Sequence, residues 1–164
     1  VLFRSEVWQF LPSYPPKTLD EMRQLITVAL ISRDAGERDP FAVIVGGECI
    51  GSTSYLAEIP AQRQVEIGWT YYARAFWRTA VNTECKLLLM SEAFETRNYD
   101  RVQFKTDILN ERSQRAIERL GALREGVLRH QQIRRDGSAR DSVYYSVIGE
   151  EWPGVKAKLM AALG

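Results

Sequence analysis

Two arginines beside a helix start are the residues of this chain best placed to do chemistry. Arg74 and Arg78 accompany the run Ala75-Phe76-Trp77-Arg78-Thr79-Ala80-Val81-Asn82-Thr83-Glu84-Cys85-Lys86. That run follows a strand-like apolar stretch, Val65 to Tyr72, and leads into an apolar-periodic helix through about Thr96. The first N–H groups of a helix lack partners inside it, and the helix dipole places partial positive charge there. A strand, a short loop and a helix start therefore make an anion site, with the amides of Arg78, Thr79, Ala80, Val81, Asn82 and Thr83 as donors. An ordinary strand–helix connection with two solvated arginines would show the same pattern. A second group, Asp107, Asn110 and Ser113, sits where another strand ends and another helix begins. Locally, Asn110 caps that helix and Ser113 is a first-turn polar residue. If the strand end lies beside the end of Gln64–Tyr72, two parallel strands that splay apart open a cleft for an extended ligand. Asn110 and Ser113 would then line its wall.

The elements that must hold these groups can be read from periodicity and punctuation. Pro12, Pro15 and Pro16 break the start of the chain into loop. Thr18 with Glu21 forms a capping box for a helix that ends near Gly36 and places Leu25, Ile26, Ala29 and Leu30 on one face. Phe41 to Val45 and Cys49 to Ile59 read as strands around a Gly46-Gly47 hairpin turn, and Pro60 to Arg63 turns into the strand Gln64 to Tyr72. In the helix after Ala80, residues Val81, Cys85, Leu88, Leu89 and Ala93 share a broad face, and Asn98 stands at a C-cap position. A strand over Arg101–Thr106, a helix over Glu111–Leu120 stopped by Gly121, and a hairpin Leu123–Arg134 and Ala139–Ile148 about Asp136-Gly137 follow. A short helix after Pro153 closes the chain. The order α-β-β-β-α-β-α-β-β is that of a single mixed-sheet α+β domain over 1–164.

Bulk properties narrow the function classes. The 164 residues suffice for one domain with a real core. A formal charge of +1 argues against a phosphate-tracking nucleic-acid binder. No apolar run approaches the roughly 18 residues of a membrane span. Cys49 and Cys85 are far apart, with no CxxC or Cys/His cluster, so neither a disulfide framework nor a metal site is expected, and two free thiols suit a cytoplasmic setting.

Four segments, in order, carry a family resemblance: Val65-Glu66-Ile67-Gly68-Trp69, Trp77 to Glu84, Lys105-Thr106-Asp107, and Asn110 to Ala122. Glu6 to Pro12, Arg124 to Arg129 and Asp136-Gly137 extend it, from about Glu6 to Trp152. Together they resemble the GNAT N-acetyltransferases, above all the branch that acetylates ribosomal-protein N-termini. The resemblance implies a splayed central pair of parallel strands with acetyl-coenzyme A in the gap as co-substrate, its pyrophosphate against the amides of Arg78 to Thr83. Relatives begin with a strand and a helix before the segment like Glu6–Pro12. The chain therefore resembles a domain lacking its first strand and most of its first helix; with one sheet edge and part of the core exposed, either poor solubility or self-association is expected. Many relatives dimerise, so a homodimer is a further expectation from the resemblance alone. Three positions depart from the family pattern. Trp77, Ala80 and Asn82 occupy the places of its Gln/Arg-x-x-Gly-x-Gly/Ala signature. Ile117 stands where many members carry a tyrosine that protonates the leaving thiolate. Ser113 stands where this branch often has a polar residue able to contact the thiol.

Acetyl transfer to an amine needs a neutral amine, a polarised thioester carbonyl and a proton for the departing sulfur. A backbone N–H at a bulge near Trp69–Thr70 would hold the carbonyl. Glu66 is the general-base candidate, directly or through water, unless it is a strand glutamate facing solvent or an arginine. Ser113 would hydrogen-bond the sulfur. Trp8 either packs the first helix or lines the acceptor pocket, and Tyr144 or Tyr145 borders the acceptor groove. His130, the lone histidine, reads as a solvent or groove residue. The acceptor is a primary amine on a small molecule or a protein N-terminus. The same fold with another acyl-coenzyme A, such as a succinyl thioester, or an inactive coenzyme A-binding or assembly module are the alternatives.

Overall fold

The computed structural model of the protein describes residues 5–164. Helix α1 (Leu19–Asp34) starts at Thr18, whose hydroxyl accepts the Glu21 N–H at 3.2 Å, while the Glu21 carboxylate accepts the Lys17 N–H at 2.5 Å. The return bond of the capping box thus falls one residue upstream of the cap. Strands β1 (Arg38–Val45), β2 (Glu48–Ile59) and β3 (Gln64–Tyr72) form an antiparallel meander. Helix α2 (Val81–Ser91) then continues as a π-helical turn, Glu92–Thr96, and Asn98 takes a left-handed φ of 54° just beyond it. Strand β4 (Arg101–Asp107), helix α3 (Glu111–Leu120), strands β5 (Leu123–Ile133) and β6 (Ala139–Ile148) and helix α4 (Trp152–Ala161) complete the domain. One mixed sheet of six strands, in the order β1-β2-β3-β4-β6-β5, confirms the α+β class. No helix among the described residues is long and apolar enough to cross a membrane.

Most differences from the sequence reading have local causes. Strand β1 begins at Arg38, upstream of the expected Phe41, and runs through Pro40, which registers with Ser54. β1 is an edge strand, where a missing N–H can face outward without breaking a ladder. Helix α1 buries no residue. Of its expected apolar face, Leu25 and Ala29 are half-buried, whereas Ile26 and Leu30 are exposed. On α2 the expected Leu88 points to solvent, and the buried positions are Lys86, Leu89 and Met90.

The main core joins the three later helices to the sheet: Leu89 and Met90, Ile117 and Leu120, and Val155 and Leu159 pack on Val65, Ile67, Val102, Phe104, Val143 and Tyr145. Tyr55 anchors α2 to β2 by donating its hydroxyl to the Leu89 carbonyl at 2.5 Å. A smaller cluster, Val43, Ile50, Tyr72 and Ala73 with Phe76, Trp77, Val81 and Cys85, fixes the loop between β3 and α2. Two irregularities matter for the site. The only parallel pair among the described strands, β3 with β4, is registered at Gln64↔Arg101, Val65↔Val102 and Glu66↔Gln103 and no further. On its other side, β3 bulges against β2: Ser54 faces Gly68, Ser52 faces Tyr71, and Trp69 takes a positive φ of 48°.

The chain reversal after α3 makes a stability prediction. Gly121 has φ 108°, and a Cβ there would sit 3.1 Å from Val155 Cγ2, whereas Gly137 in the β5–β6 turn has φ 86° with open space around it. Alanine at either site should lose about 1 kcal/mol to backbone strain. Gly121→Ala should cost roughly twice that, because α4 must also shift. Urea unfolding of the two variants measures the difference; equal losses would show that the Val155 contact relaxes freely.

Candidate functional site

Where β3 and β4 part, a cleft of about 820 Å³ opens. Its walls come from the second half of β3, the end of β4, the starts of α2 and α3, and the segment Val7–Pro12. Of the residues singled out in the sequence, Glu66, Trp69, Thr70, Arg78, Asn82, Asn110 and Ser113 line it. Thr79, Ala80, Val81 and Thr83 belong to the same helix start without lining the cleft, and neither Trp8 nor Tyr144 lines it.

The start of α2 is held from three directions. Trp77 Nε1 donates to the Tyr72 carbonyl at 2.9 Å, Thr79 Oγ1 donates to the Phe76 carbonyl at 2.8 Å, and the Tyr72 hydroxyl donates to Asn82 Oδ1 at 3.2 Å. Burial and the neighbouring Cys85 thiol push the Tyr72 phenol up, so it stays a donor. The N-cap, Ala80, makes no side-chain capping bond; Thr79 Oγ1 accepts the Val81 N–H at 3.4 Å, and the Asn82 and Thr83 amides are left open for a ligand. Asn82 therefore spends its side chain on Tyr72 and offers its backbone to the cleft. Arg78 holds a left-handed φ of 62° beside these amides. Across the opening, the Arg112 guanidinium lies 3.7 Å from the centroid of the Trp77 ring, and Arg74 pairs with Glu6 at 3.0 Å. Burial pushes the Arg112 pKa down, partly offset by the Glu6 charge. This end of the cleft can hold an anion through backbone amides surrounded by arginines.

The other wall begins at α3. Asn110 caps the helix by accepting the Ser113 N–H at 3.2 Å, so the local reading of Asn110 and its place in the cleft wall both hold. The Ser113 hydroxyl faces the cleft without a hydrogen-bond partner among the described residues. Ile117, one turn on, is buried core and offers no proton.

On the sheet, Glu66 is only 5 % exposed. Gln103 Nε2 donates to its Oε2 at 2.9 Å, and Lys105 Nζ lies 3.4 Å from the same oxygen. These partners hold a carboxylate in a nearly dry position, where it can accept a proton from a group bound in the cleft. Asp107 closes the end of β4. Burial raises its pKa, but hydrogen bonds from Arg134 and the Leu109 N–H, with the charges of Arg134 and Arg140, hold it below the usual carboxylate range.

Trp8 is buried, with its ring centroid 4.9 Å from that of Tyr71. Its carbonyl accepts from Arg135 Nη1 at 3.0 Å, which straps the N-terminal segment to the β5–β6 turn and brings Val7 and Phe10 to the cleft. Tyr144 is half-buried beneath Lys105, whose Nζ lies 5.8 Å from the ring centroid, while Tyr145 is buried in the core. His130 is exposed at a bulge in β5, with φ 51°.

Two cleft residues escaped the sequence reading. Lys86 is buried and donates to Thr53 Oγ1 at 3.1 Å and Thr70 Oγ1 at 2.7 Å, and these two hydroxyls bond each other at 2.8 Å. Its polar triangle stands directly behind the β3 bulge. Arg140, at the start of β6, lines the cleft beside Asp107. Neither is marked by a local pattern, and only the tertiary fold turns them inward. Among the described residues no group of three or more His, Cys, Asp or Glu side chains could hold a metal ion.

Comparison with known proteins gives concordant results. The family profile of the acetyltransferase (GNAT) domain matches residues 2–123. The provisionally named ribosomal N-acetyltransferase YdaF of Bacillus subtilis (strain 168) is 35 % identical over 94 residues, which cover 57 % of this chain and 50 % of that protein. The chain thus spans about half the length of that curated relative. Among solved structures, a provisionally named acetyltransferase from T. thermophilus superposes with TM-score 0.89 at 44 % identity, over 99 % of this chain and 85 % of that one. A GCN5-related N-acetyltransferase from Brucella melitensis superposes with TM-score 0.93 at 29 % identity, over 100 % and 73 %.

Lys86 predicts a pH dependence. Burial pushes its amine down to about 7 from the usual 10.5. Between those values the unfolded chain binds a proton that the folded chain does not, so stability rises with pH across that window and the burial penalty is full below it. Lys86→Met removes the penalty and leaves Thr53 and Thr70 bonded to each other. The variant should be more stable than the parent at pH 7 by about 1–3 kcal/mol, with the gap shrinking toward pH 10. Urea unfolding at pH 6, 7, 8.5 and 10 tests this; a gap that does not change with pH would mean that Lys86 folds in its charged form at no cost.

Proposed function

The chain belongs to the GNAT acetyltransferase family, and from that premise we propose that it transfers an acetyl group from acetyl-coenzyme A to a primary amine. The observation that carries the proposal is one cleft holding both an open helix start ringed by arginines and a buried carboxylate. The pyrophosphate is assigned to the amides of Arg78 to Thr83, with the charge of Arg78. The extended arm of the co-substrate then runs between β3 and β4, past Asn110 and Ser113. An N–H at the Trp69–Thr70 bulge takes the thioester oxygen, where negative charge grows during attack.

In the reaction, the amine nitrogen attacks the thioester carbon and a C–N bond forms as the C–S bond breaks. The proton lost by the nitrogen passes to Glu66, directly or through one water. The sulfur leaves as a thiolate, accepts a hydrogen bond from Ser113 and takes its proton from water, because Ile117 cannot give one; the proton held by Glu66 then returns to the hydroxide left behind. Lys105 and Gln103 keep the Glu66 carboxylate oriented before each turnover. The likeness to YdaF, a protein named for ribosomal N-acetylation, favours a protein N-terminus among the possible acceptors.

Two experiments test the reading. Glu66→Gln should lower kcat/KM by on the order of 10²- to 10⁴-fold and leave coenzyme A affinity near that of the parent, measured by thiol release and calorimetry. A folded variant with undiminished turnover would remove Glu66 from the mechanism. In calorimetric titrations of coenzyme A, Arg78→Ala should weaken binding by about tenfold, the size of one partly exposed charge-assisted contact. Asn82→Pro, which deletes an amide donor, should weaken it far more. If Asn82→Pro remains folded by circular dichroism and binds like the parent, the phosphates do not sit at α2.

A further inference from the structure

Arg140 has no part in the chemistry described above, yet it lines the same cleft as Glu66, Lys105 and Asp107. Its side chain is 13 % exposed, and its Nε is buried without any hydrogen-bond partner. The nearest acid is Asp107, with Nε 3.9 Å from Oδ2, which is too long for a hydrogen bond. Asp107 is already committed elsewhere. It accepts from Arg134 Nε at 2.6 Å, from Arg134 Nη2 at 2.9 Å and from the Leu109 N–H at 2.9 Å. Glu66 is committed as well, to Gln103 and Lys105. Three cations, Arg134, Arg140 and Lys105, thus face two carboxylates, and Arg140 is the cation whose Nε is left without an acceptor.

A buried donor without an acceptor is costly, and a guanidinium is built to meet a carboxylate with two parallel N–H bonds. Sheet geometry sets where that carboxylate would lie. Gln103, Lys105 and Asp107 alternate onto the face of β4 that carries Glu66, and β6 registers Lys105 with Tyr144 and Asp107 with Ser142. Arg140 is the next residue on that face of β6. From Lys105, beside Glu66, to Asp107, beside Arg140, is two strand residues, or about 7 Å. An amine at Glu66 and a carboxylate at Arg140 are therefore only a few bonds apart in the same molecule.

We infer that Arg140 receives a carboxylate carried by the acceptor, so that the acceptor is an amine with an acid group close to it. The amine half of this inference rests on the acetyl-transfer reading; the carboxylate half rests on Arg140 itself. Two sources share the chemistry: a free amino acid, and a peptide whose first side chain is acidic.

The test uses the full chain with saturating coenzyme A and four probes in matched pairs. These are L-glutamate against glutamine amide, and Asp-Ala-Ala amide against Asn-Ala-Ala amide, each titrated calorimetrically and then offered with acetyl-coenzyme A in a thiol-release assay. At least one acid should bind on the order of 10- to 100-fold more tightly than its neutral partner. The pair showing the preference identifies the source as a small molecule or a peptide. Arg140→Gln, checked for folding by circular dichroism, should erase the preference, and Arg140→Lys should restore part of it. Equal binding within both pairs, no binding by any probe, or a preference that survives in folded Arg140→Gln overturns the inference. Acid-selective binding without thiol release would support Arg140 and sink acetyl transfer; thiol release without acid selectivity would do the reverse.

Discussion

Strands β3 and β4 hydrogen-bond through three registered pairs and then separate. Parallel strands inside a sheet normally continue their ladder, since unpaired backbone groups are costly to bury. Beyond the last of these pairs β3 bulges against β2 at Trp69–Thr70, and the ladder to β4 is not resumed. The unpaired edges then face a cleft, where a ligand can bond them, in place of dry core. The groups that line the cleft are arranged around this divergence. Glu66 stands at the last registered pair, the bulge amides lie just beyond it, and the helices that follow the two strands present their starts across the gap.

Holding the gap open demands that its polar groups be satisfied without closing it. The protein meets this demand with side chains that bond sideways, along the walls. Tyr72 reaches Asn82, Trp77 reaches the Tyr72 carbonyl, Asn110 caps its own helix, and Lys86 holds two threonine hydroxyls behind the bulge. Each bond fixes a wall element and leaves the face toward the cleft free. Lys86 is the costly member of this set, because the penalty of its burial exceeds what the neighbouring Cys85 offsets. Its long side chain lets one helix residue reach both Thr53 on β2 and Thr70 on β3, and so pin the two strands at the place where their register slips.

Much of this was legible in the sequence, and the reasons are specific. Gly121 and Asn98 punctuate helices through positive φ, Asp136-Gly137 marks its hairpin, and Gln64–Tyr72 and Glu111–Leu120 match their expected bounds because their patterns are unbroken. The bulge at Trp69–Thr70 was expected from family resemblance, since a strand sequence carries no mark of a missing partner. Strand β1 starts upstream of the expected Phe41 because proline speaks against a central strand and not against an edge. Leu88 and Lys86 misled together: periodicity put the leucine inward, yet α2 is rotated so that the lysine is buried and the leucine exposed. Arg140 was invisible because a charge in an alternating strand reads as solvent-facing until the sheet order sets β6 beside β4.

The two ends of the cleft are therefore legible to different degrees for a physical reason. At the α2 end, recognition is assigned to backbone amides, and any sequence that places an uncapped helix start after β3 supplies them. Ala80 and Asn82 can then stand where glycines are usual, since what the ligand needs from those positions is an N–H and clearance. At the Glu66 end, the proposed recognition falls to side chains from β3, β4 and β6, brought onto one face by register. A register of this kind joins residues distant in the chain, as Glu66, Gln103 and Tyr144 are, and no local pattern records it. On the proposed reaction, the donor end is thus set by the order of the elements, whereas the acceptor end is set by individual charges. If the proposed reading holds, exchanging one of those charges alters which amine fits without disturbing the strands that hold the cleft open.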